Sequence, residues 1–344
     1  MLAVWKSKPE KGLEIREDTE VPKIKPNEVL VKVGATSICG TDKHIYEWDK
    51  WAQERIAKNL PYILGHEVSG EVVEVGEATR GIKKGDRVSA ETHIACWHCF
   101  QCKTGNAHIC ENVKILGVDV DGTFAEYVAI PWQNAWVNDP SLPHWIATAQ
   151  EPLGNAVHTV FDGEVAGKSV VIFGAGPIGV CAAGLCHAAG AEKVIVVDPQ
   201  DYRLKFAEDF GADVLLKPDG KHLERIKEET GGRGPEVMLE ISGSPHALRD
   251  GLEVLRPGGR VSILGIFKEP VQIDVTNNIV FKGAKVHGIN GRKMFDSWYN
   301  AAAFLKSGKL DLGKLVTHRL KLTEIEKGFE ALSSGEAMKI VLEP

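Results

Sequence analysis

The 344-residue sequence has no long basic block, and its 41 Lys and Arg against 47 Asp and Glu leave a formal charge of −6. That balance argues against nucleic acid or an anionic membrane surface as the main partner. The first residues, Met1-Leu-Ala-Val-Trp-Lys, lack the long apolar core and cleavage site of a secretory signal. No internal repeat or low-complexity run stands out. A cytoplasmic protein is expected. Cysteine is sparse and odd in number, seven in all, and four of the seven are clustered. That is a poor disulfide framework, and in a cytoplasmic chain clustered cysteines more often bind metal. Cys181 and Cys186 lie in an apolar helical stretch and read as small buried residues. Charge is missing from Ser169 to Ala191, a run long enough to suggest a membrane span. Five glycines, Pro177 and a strand pattern on either side argue against one.

What is present in that run organises the chain. Ser169-Val-Val-Ile-Phe reads as a buried strand. Gly174-Ala-Gly176-Pro-Ile-Gly179 reads as a glycine turn into a helix, and Val194-Ile-Val-Val-Asp198 as a second buried strand ending in a carboxylate. Gly174 permits the turn, Gly176 lets the backbone approach a pyrophosphate, and Gly179 lets helix and strand pack closely. The helix start offers N–H groups to phosphate. Asp198, about 20 residues beyond Gly179, can accept ribose hydroxyls and repel a 2′-phosphate, which favours NAD over NADP. Strands and helices alternate from about residue 155 onward, as a doubly wound parallel sheet requires. Gly265 and Ile266 follow one of its strands, and Ile289 and Asn290 another. These are the carboxyl ends, where a dinucleotide is expected.

Residues 1 to about 90 alternate polar and apolar, as in Asn27-Glu-Val-Leu-Val-Lys-Val-Gly, and predict a β-rich domain. Asp49 to Asn59 reads as a short helix within it. Cys39 with Thr41 and His44, and then His66 with Glu67, fall at strand–loop junctions where side chains converge. Cysteine, histidine and carboxylate are the ligand types of catalytic zinc, which keeps a position open for substrate. Glu151 adds an acid near the domain junction. Cys96, Cys99, Cys102 and Cys110 form a C-x2-C-x2-C-x7-C lobe over about 93–113. Four thiolates at this spacing can close a structural zinc site, with an iron–sulfur cluster as the rival. The tail Met338-Lys-Ile-Val-Leu342 reads as a strand returning to the first domain. A helix is expected over Met294–Lys306.

Ser37-Ile-Cys-Gly-Thr-Asp-Lys-His, Gly65-His-Glu, Glu91-Thr-His-Ile, Glu151-Pro-Leu-Gly-Asn-Ala-Val-His and Gly291-Arg-Lys-Met-Phe together resemble the zinc-dependent medium-chain dehydrogenases over essentially the whole length. The resemblance implies an α/β protein. A GroES-like β-rich catalytic domain would be formed by 1–154 and 293–344, and a Rossmann NAD-binding domain by 155–292. It implies that Cys39, His66 and Glu67 hold a catalytic zinc, with Glu151 as an alternating ligand or proton-relay partner. Thr41 and His44 would carry the proton outward by way of a cofactor ribose hydroxyl. The four clustered cysteines would hold a second, structural zinc. Ile178, Asp198, Arg203, Leu264 to Ile266, Ile289 and Asn290 would contact NAD, and His93 would line the substrate pocket. The activity implied is NAD-dependent oxidation of a secondary alcohol, with L-threonine the expected substrate and sorbitol or butanediol the alternative. A non-catalytic NAD-binding redox sensor is a further reading. A homotetramer is implied as well.

Overall fold

A computed structural model describes all the residues, Met1–Pro344. Two compact units emerge. Met1–Glu151 with Leu312–Pro344 makes the first, and Pro152–Asp311 the second. The second runs on to Asp311, where the sequence placed its end at 292. The reason lies in packing: in the helix Asp296–Lys306, Phe304 stacks on Phe161 at 5.5 Å between ring centroids. A side chain added at Gly184 would likewise meet Leu310.

The first unit is built on a seven-stranded sheet whose central strand, Glu28–Ile38, pairs along one edge with Glu67–Val75 and along the other, over its first residues, with Tyr127–Pro131. Its last residues also pair with the C-terminal strand Lys339–Glu343, in register Ile38↔Ile340 and Thr36↔Leu342. Strict alternation of Val29, Val31 and Val33 places these side chains in one buried cluster with Val68, Val72 and Val128. Beyond Ile38 the chain enters the helix Gly40–Glu47, capped by Cys39. Trp48 stops it in the left-handed region, φ 56°, and Asp49 opens the next helix, Lys50–Ile56. Asp49 Oδ1 accepts from the Ala52 N–H at 3.0 Å, an ordinary N-cap that satisfies one orphan donor. Tyr46 stacks on Phe329 of the helix Ile325–Ser334, centroids 4.4 Å apart, so the returning C-terminal segment packs on the first helix.

The second unit holds six parallel strands. Their spatial order is Val214–Leu216, Lys193–Val197, Ser169–Phe173, Val237–Glu240, Arg260–Ile263 and Lys285–Gly288. Numbered along the chain this is 3-2-1-4-5-6, the doubly wound order. Every residue of Ser169–Phe173 is buried, as a strand covered on both faces must be. The helix Pro177–Ala188 takes Pro at its first turn and is buried from Gly179 to Cys186, which accounts for the uncharged run. No helix is long and apolar enough to cross a membrane.

Candidate active site

The first unit brings Cys39, His66 and Glu67 together, one ligand atom of each lying within 4.8 Å of the others. Their positions follow from the sheet. Cys39 directly follows the central strand, and Glu67 starts the neighbouring strand directly opposite Ser37. Ser37 Oγ donates to the Glu67 carboxylate. Asp42, fully buried, ties the set together: one oxygen accepts the Cys39 N–H at 2.8 Å, and the other stands 3.4 Å from His66 Nδ1. The contact is an ion pair and not a hydrogen bond, since neither atom finds a hydrogen-bond partner in the fold; a carboxylate on that side of the ring favours the other nitrogen as the ligand. Burial opposes the imidazolium of His66, but Asp42 and the Cys39 sulfur outweigh it and raise its pKa. A proton and a metal cation would therefore compete for one electronegative pocket.

Glu67 is itself fully buried, and burial raises its pKa against the pull of Lys339. Lys339 is only 3% exposed, pairs with the Glu67 carboxylate, and donates to the Ile38 carbonyl at 3.3 Å. Burial disfavours its charge, yet Glu67 keeps the ammonium protonated and raises its pKa. Glu67 Oε1 finds no hydrogen-bond partner in the fold. A buried acceptor left over beside a thiol and an imidazole fits a cation, and the donor set is that of catalytic zinc. Glu151 is buried but stands outside this group of three, its carboxylate accepting from Thr92 at 3.3 Å.

Thr41 lies in the first turn of the following helix, its Oγ1 4.0 Å from Cys39 Sγ. His44 lies in the last turn, with Nδ1 2.5 Å from Asp49 Oδ2. His93, 8% exposed, is held through its N–H and Nδ1 by the Glu91 carboxylate, at 2.9 and 3.2 Å.

The second sulfur group is compact. Sγ of Cys99 lies 3.5 Å from that of Cys102 and 3.7 Å from that of Cys110. Sulfurs sharing a tetrahedral zinc, with Zn–S about 2.3 Å, would stand about 3.8 Å apart. Backbone N–H groups of Cys96 and Asn112 each point at Cys110 Sγ at 3.3 Å. The backbone of His98 lowers Cys96 to about 6, whereas burial pushes Cys102 up to about 12. Four thiols this close cannot all ionise without a cation among them, and a dication suits them. A short strand pair, His93–Ile94 and Lys114–Ile115, closes the lobe.

In the second unit the predicted nucleotide residues gather at the carboxyl ends of the strands. Gly174 sits at φ 101°, and a Cβ on Gly179 would collide with the Gly174 carbonyl. Asp198, 3% exposed, accepts the Ala175 N–H at 2.8 Å and the Gln200 N–H at 2.9 Å, bracing the turn from the neighbouring strand. Ile178 lies in the first turn of the helix Pro177–Ala188, and Arg203 on the helix Asp201–Asp209. Leu264, Gly265 and Ile266 follow the strand Arg260–Ile263; Ile266 is 79% exposed. Ile289 and Asn290 follow the outer strand. Glu240, buried at the end of the fourth strand in chain order, accepts from the N–H groups of Ser242 and Gly243. A Cβ on Gly265 would strike its Oε2, so the loop after the strand Arg260–Ile263 packs tightly against this carboxylate.

Sequence reading missed Asp42, Asp49, Glu91, Glu240 and Lys339. Asp42 and Glu91 lie inside the motifs that carry the resemblance and Asp49 opens the segment read as a short helix; their spacing from Cys39, His93 and His44 was the available signal. Lys339 had none, since its partner lies far away along the chain.

Two family models match. The alcohol dehydrogenase GroES-like domain covers residues 25–140, and the zinc-binding dehydrogenase domain residues 177–307. The chain is 51% identical to the L-threonine 3-dehydrogenase of Caldanaerobacter subterraneus subsp. tengcongensis, over 100% of this chain and 99% of that protein. It is 49% identical to the L-threonine 3-dehydrogenase of Pyrococcus furiosus, over 99% and 98%. Among solved structures it superposes on a short chain alcohol dehydrogenase of E. coli CFT073 complexed with NADH. The TM-score is 0.90 at 27% identity, covering 100% of this chain and 99% of that one. The chain belongs to the zinc-binding alcohol dehydrogenase family, whose GroES-like and Rossmann units it folds into.

Proposed function

We propose that the protein is an L-threonine 3-dehydrogenase, oxidising the secondary alcohol of L-threonine with NAD to give 2-amino-3-oxobutyrate. The observation that carries this reading is the 51% identity to an L-threonine 3-dehydrogenase over the full chain. Cys39, His66 and Glu67 would hold the catalytic zinc, with Glu151 exchanging in as an alternate ligand, and Cys96, Cys99, Cys102 and Cys110 the structural one. Zinc, when bound, supplies Lewis acidity that makes the alcohol proton easier to lose near neutral pH.

The chain's own residues do the rest. Asp42 and Lys339 fix the ligands. The Thr41 hydroxyl takes the alcohol proton and passes one on, and His44 receives it at the outer end of the same helix. Gly174, Gly176, Ile178, Gly179, Asp198, Arg203, Leu264, Gly265, Ile266, Ile289 and Asn290 would bind NAD, which accepts the hydride from the carbinol carbon. His93 would line the substrate pocket, its ring held by Glu91. Removing that buried polar group should cost about 1–3 kcal/mol of discrimination for L-threonine over a neutral secondary alcohol.

The test is NAD reduction with L-threonine, sorbitol and butanediol, before and after zinc chelation. A higher kcat/KM for either neutral alcohol would overturn the substrate assignment. We also infer a cytoplasmic homotetramer. The strand Lys285–Gly288 pairs on one side only, and Val280 and Phe281 just before it are 63% and 75% exposed. An open sheet edge with exposed apolar side chains in the turn just before it invites a second copy. Sedimentation of wild type and Phe281→Lys checks it, with a smaller species expected for the variant.

A further inference from the structure

We propose that Asp49 is a positioning residue for proton transfer, fixing the tautomer of His44. The inference rests on the relay role assigned above to His44. Trp48, at φ 56°, breaks the helix Gly40–Glu47, and the chain doubles back so that Asp49 faces the last turn it has just left. Its two carboxylate oxygens then do different work. Oδ1 caps the next helix through the Ala52 N–H at 3.0 Å. Oδ2 meets His44 Nδ1 at 2.5 Å. The edge of the Trp51 ring lies against the imidazole, with centroids 6.1 Å apart at 60°, which limits its rotation.

An ionised carboxylate only accepts. Nδ1 therefore carries the hydrogen, and the lone pair is on Nε2. A proton leaving the alcohol oxygen passes to the Thr41 hydroxyl, which releases its own onward to Nε2. The ring becomes imidazolium while Asp49 stays a carboxylate facing the new charge, and the proton then leaves to water. Held the other way, with hydrogen on Nε2, the ring could not accept at that atom.

Asp49→Asn tests this with little disturbance. The amide oxygen can keep the cap on Ala52, which turns the NH2 toward Nδ1. That forces hydrogen onto Nε2, the wrong tautomer. The expected result is a fall in kcat of about 10-fold or more, below the full range of a general base because the relay's end is half-exposed and water can substitute in part. The dissociation constant for NAD, the zinc content and the melting temperature should hold. In a His44→Ala background Asp49→Asn should cost nothing further. Imidazole nitrogen shifts of 15N-histidine-labelled protein, assigned against His44→Ala, should show the hydrogen moving from Nδ1 to Nε2. If Asp49→Asn melts early, Asp49→Ser keeps a capping oxygen too short for His44 and takes the same measurements. A silent Asp49→Asn beside a costly His44→Ala overturns the inference alone. Silence of both removes the relay on which it stands. An undiminished loss in the His44→Ala background would show a role unrelated to His44 and also overturn it.

Discussion

Asp198 shows at the scale of one residue how charge and geometry divide. Its oxygens brace the glycine turn through Ala175 and Gln200, so substitution by alanine would disturb the turn along with the charge. Asp198→Asn keeps an acceptor and removes the charge that repels a 2′-phosphate. The expected outcome is a rise in the NADP-to-NAD ratio of kcat/KM with a small loss of stability. An unchanged ratio would show that Asp198 does not select the cofactor. Lys339 is a harder case. Removing one partner of a buried pair strands the other, at a cost of about 3–5 kcal/mol. Lys339→Met should lower the free energy of unfolding by that order in denaturant titration, and with it the zinc retained on dialysis. Equal zinc retention would mean that Glu67 keeps its place without help. Cys39, His66 and Glu67 were legible because short motifs put them at strand ends. Lys339 was illegible because a lysine in an alternating tail reads as solvent-facing. Its burial comes from both neighbouring strands, which no local pattern reveals.

Among elements, the cysteine lobe tests whether metal substitutes for an apolar core. Phe100 is 72% exposed and the helix Phe100–Lys103 buries no residue, so four sulfurs carry what side chains elsewhere would. Cys102→Ser should bind one zinc fewer per chain and melt earlier, while the folded remainder keeps its kcat. Iron and acid-labile sulfide in the purified protein would contradict the zinc assignment. The strand–turn–helix unit from Ser169 to Ala188 was legible for a different reason: the glycines answer to local geometry. Element ends were less so. The helix expected from Met294 begins at Asp296, because Phe295 sits outside helical geometry at φ −108°, ψ 17°. The strand whose alternation is plain over Asn27–Gly34 runs on to Ile38, where a partner distant in sequence pairs with its last residues.

For the whole molecule, stability should depend on pH through Lys6. It is fully buried, donates to the Gly12 carbonyl at 3.0 Å and to that of Glu10, and faces the Trp48 ring at 5.0 Å. Burial pulls its pKa down from 10.5 to about 8. Between those values the unfolded chain holds a proton that the folded chain has lost, so stability rises with pH across the window. Below about 8 both states are protonated and the cost of burying the charge is fully present. Above 10.5 neither carries it. Melting curves from pH 8 to 10.5 should show a shallower rise for Lys6→Met than for wild type; parallel curves would mean that another group sets the slope.

The strand Lys339–Glu343 also sets a timetable. The Lys339 ammonium and the Ile38 carbonyl it meets are separated by 301 residues. At about 5–20 residues per second, a ribosome needs roughly 15–60 s to make the chain between them. During that interval Pro152–Asp311 can fold as a continuous segment. The first unit must wait with an open sheet edge and a buried-to-be carboxylate at Glu67 without its counter-charge. The nascent chain is thus exposed to aggregation at one defined place, the edge of Glu28–Ile38, and secure loading of the catalytic metal falls to the last moments of synthesis.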